Sequence, residues 1–154
     1  MGTPREDLCG LFAGRWTLGE LVAFHPAHKL TLMAHSPEAY RQLGRLVAGG
    51  RAVLRLDLER RYTKLFMSAL TVAATTRRHV NVLQHVAGYF KNRLDADAKR
   101  ELGAAIDDYR SGLVPLAVPI TLLRHHVRMH RIAYLEGQRY LIRGGYNSFD
   151  TSRR

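Results

Sequence analysis

Two side-chain types in this 154-residue chain could do chemistry: histidine, present eight times, and arginine, which dominates the 24 basic residues. His25 and His28 are three apart and His35 lies seven beyond, so all three share one helix face if a helix runs on through Pro26. An imidazole titrates near neutral pH and can move a proton on a nucleobase or another small anionic substrate. His25, His28, His35, His79 and His85 are the acid–base candidates, with Tyr89 as a further pocket residue. His126 and His130 are four apart, a spacing that lets two imidazoles grip one metal. Neither pair has the flanking Glu of a metalloprotease motif and no third ligand is identifiable, so no metal site is expected. Cys9 has no paired His at a recognisable spacing, and Ser36 is better explained as a helix cap. No nucleophile elbow, Walker A loop or dinucleotide fingerprint occurs, and no cofactor is expected.

The arginines point elsewhere. Arg124, Arg128 and Arg131 fall at i, i+4 and i+7 and line one face if their helix persists to Arg131; Arg139 and Arg143 repeat the four-residue step. From Arg110 to the end there are eight basic residues against two acids, Glu136 and Asp150. A merely solvated helix face interleaves both signs, and this one scarcely does. The planar guanidinium fork matches phosphate better than a point charge does. A second polar stripe carries Arg77, Arg78, Asn81, Gln84 and His85, then Tyr89. Amides offer donor and acceptor together, suited to base edges, and a tyrosine can stack on a base. His28 and Lys29 add a further polar surface. The ordinary alternative for these residues is an exposed helix face with a buried tyrosine.

Nearly everything between two aperiodic ends reads as helix. Residues 1–15 mix Gly, Pro and charge and are expected to form a flexible tail, as are 144–154, leaving a helical domain over 16–143. Thr17 to His35 predicts a first helix, kinked or broken near Phe24 by Pro26. Ser36-Pro37-Glu38 restarts the chain as cap, first-turn proline and first-turn acid. Further helices are expected over about 54–70, 75–90, 95–109 and 119–129, with a short last one over 134–142. No period-2 alternation is present, so the fold class is all-α, a single-domain bundle of six or seven helices.

Composition agrees. Hydrophobic residues make up 46%, enough for a core, and the single cysteine excludes an intramolecular disulfide or a cysteine-rich metal or iron–sulfur site built by this chain alone. No apolar run approaches the roughly 18 residues that span a bilayer. Residues 1–14 lack the pattern of a signal peptide, so a cytoplasmic protein without membrane association is expected. The formal charge of +11 points to a polyanionic partner.

Three blocks carry a resemblance. The first is Leu21-Val22-Ala23-Phe24-His25-Pro26-Ala27-His28-Lys29-Leu30 with its continuation through Ser36-Pro37 to Val47. The second runs from Leu65-Phe66-Met67 through His79, Asn81-Val82-Leu83-Gln84-His85 and Gly88-Tyr89-Phe90-Lys91. The third spans Tyr109-Arg110, Pro115-Leu116, Val118-Pro119-Ile120-Thr121-Leu122-Leu123 and closes at Tyr140-Leu141. In this order they resemble the YbgA-type domain of unknown function, over roughly Leu18 to Leu141. That domain also occurs fused behind desulfidase domains acting on thiouracil-type bases, including 4-thiouridine in tRNA. The resemblance therefore implies RNA, most of all tRNA, as partner. Desulfidase activity is not carried over, since it belongs to the cluster-bearing domain. Two other readings stand beside this one: the histidine-dependent enzyme above, and a docking module for a desulfidase-type or other catalytic protein, whose apolar patch would lie in Leu113 to Leu123.

Overall fold

The computed structural model describes residues 2–142, and among them every regular element is helical. The all-α expectation holds. The chain divides into two compact units, Met1–Val72 and Ala73–Arg154.

The first unit holds α1 (Pro4–Phe12), α2 (Leu18–Ala27), α3 (Lys29–His35), α4 (Pro37–Ala48), a 3-10 turn (Gly50–Ala52) and α5 (Arg55–Thr71). The expected N-terminal tail is thus corrected to a helix. Thr3 and Glu6 form a capping box around Pro4, with the Thr3 hydroxyl accepting from the Glu6 N–H and the Glu6 carboxylate accepting from the Thr3 N–H. Leu8 then buries completely with Trp16, Leu43, Leu58, Tyr62 and Phe66. Thr17 and Glu20 build a second capping box at α2. Pro26 does not break the helix at Phe24 but sits inside its last turn, and the break comes at His28. Ser36 and Pro37 start α4 as the sequence predicts, the Ser36 hydroxyl accepting from the Ala39 N–H.

The second unit holds α6 (Thr76–Gly88), α7 (Ala96–Arg110), α8 (Ala117–His130), α9 (Ala133–Glu136) and α10 (Arg139–Ile142). Thr75 caps α6 and Asp95 caps α7 through their side-chain oxygens. Gly112 turns the chain beyond α7 at φ 79°, a conformation that glycine adopts without steric cost. α8 begins at Ala117, two residues before Pro119, whose missing N–H costs nothing in a first turn. Leu83, Val86, Phe90, Ile106, Tyr109 and Ile120 fill the core. The expected last helix over 134–142 is instead two single turns, interrupted at Gly137 and the buried Gln138. Most helices pack on the ones adjacent to them in sequence: α3 on α4 and α4 on α5 in one unit, α6 on α7 and α7 on α8 in the other. The expected tail over 144–154, like Arg143, lies outside the described residues.

Candidate nucleic-acid interface

In the second unit the polar face of α6 lies beside α7. Arg77, Asn81 and Gln84 fall on one stripe, and Arg110 at the end of α7 joins them in a recess of about 400 Å3 whose remaining lining is Thr76 and Val80. α6 contains no acidic residue, and its N-terminal turn adds the positive end of the helix dipole to Arg77. Arg110 donates to the Asp107 carboxylate one turn back at 2.9 Å, with both side chains at least half exposed. Such a surface pair holds its partners weakly and leaves the guanidinium available to a stronger anion. The recess therefore has a guanidinium from each of two helices, with two amides between them. Arg110 is the member of this group that the sequence reading missed, because only tertiary packing brings it to α6.

Other predicted residues are placed differently. Arg78 folds back to donate to the Ala73 carbonyl at 3.2 Å, a local tie rather than a free contact. Arg124 and Arg128 line a second cleft of about 190 Å3 together with Val127, Leu135, Glu136 and Leu141. The expected three-arginine stripe is shortened to two. α8 ends at His130, and Arg131 takes a left-handed conformation at φ 53° that turns it off the helix face, its Nε 3.6 Å from the Glu136 carboxylate. Tyr89 caps the end of α6 and stacks on Tyr134 (centroids 5.7 Å apart, planes at 20°), while His85 meets Tyr89 edge-on. The suggested docking patch from Leu113 to Leu123 is divided: Leu116, Pro119, Ile120 and Leu123 are buried, whereas Leu113, Pro115, Val118 and Thr121 are exposed.

The histidines separate into individual structural roles. His79 is buried in the second unit against the Tyr140 hydroxyl at 2.7 Å, whereas His85 is on its surface. His25, His28 and His35 are buried in the first unit. His35 Nδ1 donates to the Val72 carbonyl at 2.7 Å. His28 places Nδ1 3.0 Å from the Phe24 carbonyl and Nε2 3.0 Å from the Asp7 carboxylate. His28 thus bridges the Phe24 carbonyl and the Asp7 carboxylate through its two ring nitrogens. It is corrected from a nucleic-acid contact to a tie between α1 and the α2–α3 break. Lys29 beside it sets its ammonium 5.8 Å over the Tyr40 ring. Within the first unit, His28 and His35 are turned to backbone and carboxylate partners, while His25 also lines a cleft of about 560 Å3 beside Gly44 and Arg51.

His25 stacks on Tyr40 at 4.5 Å and shares a 3.0 Å hydrogen bond between Nδ1 and the Tyr62 hydroxyl. Its Nε2 is buried against Gly44, where an added Cβ would stand 3.4 Å away. Burial first, and charge repulsion from His28 second, push the His25 pKa from 6.5 to about 4; the Tyr40 backbone works the other way and is outweighed. Burial likewise raises Tyr62, so both partners of the hydrogen bond stay neutral at physiological pH. The unfolded chain takes up a proton near pH 6.5 that the folded chain refuses until about pH 4. Stability from this residue is therefore complete above the upper value and falls as the pH drops through that window, by roughly 2 kcal/mol after allowance for solvent screening. Urea midpoints measured from pH 7 downward should fall more steeply for the native chain than for His25→Gln. In the second unit, burial and then the neighbouring His125 and His130 lower His126, opposed by Glu101. Among the described residues no three His, Cys, Asp or Glu side chains come together to hold a metal ion. None of the described helices is long and apolar enough to cross a membrane.

The comparisons with known proteins bear on the chain as a whole. A family model described as a protein of unknown function (DUF1722) matches residues 29–143. The uncharacterized protein YbgA of Escherichia coli (strain K12) is 38% identical over 125 residues, covering 80% of this chain and 74% of that protein. No solved structure matches.

Proposed function

The chain belongs to the YbgA-type family of unknown function, DUF1722, and from that premise we propose that it is a basic helical RNA-binding module, with tRNA as the favoured partner and no desulfidase activity of its own. The observation that carries this reading is the α6–α7 recess, where Arg77 and Arg110 flank Asn81 and Gln84. Guanidinium groups hold phosphate by charge and paired hydrogen bonds, and amides between them can address the base attached to that phosphate. Arg124 and Arg128 extend the phosphate contacts along α8. The net charge of +11 supplies the long-range attraction that brings a polyanion to these groups. A single cysteine, exposed on α1, falls short of the thiolates an iron–sulfur cluster needs, so desulfidase chemistry of that kind would require another domain to supply them.

The test is an anisotropy titration of labelled tRNA with the full chain at several salt concentrations. Log affinity should fall linearly with log salt, with a slope of about −3 if three or four phosphates are neutralised. A flat plot, or no binding at low salt, would overturn the proposal.

A further inference from the structure

We infer that the RNA element this surface takes is single-stranded, with one unpaired base in the α6–α7 recess and another stacked on Tyr89. The inference rests on the RNA-binding reading above and adds to it the strandedness of the ligand.

The shape of the amide site carries the first part. Duplex base edges lie at the bottom of a groove, so reading them takes a protruding helix, ribbon or side chain. In RNA the major groove is too deep and narrow for side chains to read at all. Asn81 and Gln84 are exposed and line a concavity of about 400 Å3 together with Arg77 and Arg110. A paired base cannot enter a recess, whereas a splayed base can, bringing its Watson–Crick edge to the amides while its phosphate stays at the guanidinium rim.

The aromatic pair carries the second part. Tyr89 is 37% exposed although it is a large ring with a well-formed core beside it. Its position is fixed by the end of α6 and by parallel stacking on Tyr134. A pre-positioned, partly exposed ring is what a base needs as a platform, and stacking is sequence-tolerant because every base has a π-face. From Arg77 to Tyr89 the helix advances about 18 Å, which accommodates about five nucleotides at stacked spacing. The arginines and amides share one recess, and Tyr89 lies beyond Gln84 and about a third of a turn round the helix from their stripe, a step that a flexible single strand can make.

The experiment compares a short fluorescein-labelled single-stranded RNA of mixed sequence with the same strand annealed to its complement, at one low salt concentration, using the full chain. The single strand should bind at least about tenfold more tightly. Tyr89→Ala should weaken the single strand about five- to hundredfold and leave the duplex unchanged, while Tyr89→Phe should bind as the native chain does. Equal or tighter duplex binding overturns the inference and leaves the RNA-binding reading standing. Single-strand binding that is indifferent to Tyr89→Ala also overturns it. Failure of both RNAs to bind removes both. The native-chain comparison needs no variant, so a misfolded Tyr89→Ala would not obscure the result.

Discussion

Replacing Arg77 and Arg110 together by Glu is expected to lower tRNA affinity by roughly ten- to a hundredfold, or about 1.4–2.7 kcal/mol. The slope of log affinity against log salt should shrink by about two, one for each phosphate no longer neutralised. Both side chains are exposed, and exposed substitutions of this kind usually change stability by no more than about 0.5 kcal/mol, so a weaker complex would report on binding rather than folding. The control is the same reversal at Arg41 and Arg45, two exposed arginines on α4 that attend the Glu38 carboxylate. It changes the net charge equally. If the control weakens binding as much as the recess variant, the attraction is a property of the total charge and the α6–α7 recess is not the site. A large drop for the recess variant alone, with the smaller slope, supports the proposed contact.

The largest effect on stability should come from Tyr62→Ala. Tyr62 is fully buried and its ring touches Phe12, Phe24 and Phe66 as well as His25. Truncating a buried aromatic costs about 3–5 kcal/mol through the apolar surface no longer buried and the cavity that remains. The variant also strips His25 of its Nδ1 partner, which adds about 1–3 kcal/mol for a buried polar group left unsatisfied. Small domains are stable by only about 5–15 kcal/mol, so this loss removes a large share of the total and lowers the melting temperature steeply. Tyr62→Phe separates the two contributions, since it keeps the ring and removes only the hydroxyl. Thermal melts followed by circular dichroism should show a modest drop for the Phe variant and a severe one for Ala. Similar melting temperatures for the two would mean that the hydroxyl, not the ring, carries the cost.

What could be read from the residues, and what could not, divides along a physical line. Local signals were legible: Ser36-Pro37, Thr75 and Asp95 start helices where their side chains satisfy orphan N–H groups, and Arg77, Asn81 and Gln84 share a face because of their spacing. The helix over 4–12 is signalled too, by Thr3-Pro4-Arg5-Glu6 and by Leu8, Leu11 and Phe12 at helical spacing, but the Gly and charge around it obscure the pattern. The end of α8 is hidden, since the residue that adopts the left-handed cap is an arginine rather than a glycine, so the stripe reads as continuing through it. Partnerships across the chain are not visible. Nothing local links Asp7 to His28, Tyr62 to His25, Tyr140 to His79 or Arg110 to α6; each depends on how helices pack. For the same reason a histidine that supports a core and one that could transfer a proton look alike in one dimension.

The packing of helices on their chain neighbours has a kinetic consequence. Contacts between segments close in sequence need only short loops to close, so little chain entropy is given up before the first of them forms. Helical proteins with such topology fold in microseconds to milliseconds, far faster than the ribosome adds residues at about 5–20 per second. Formation of each helical pair should therefore keep pace with synthesis. α4 can meet α5 as soon as the second of them has emerged, before α6 to α8 emerge in their turn.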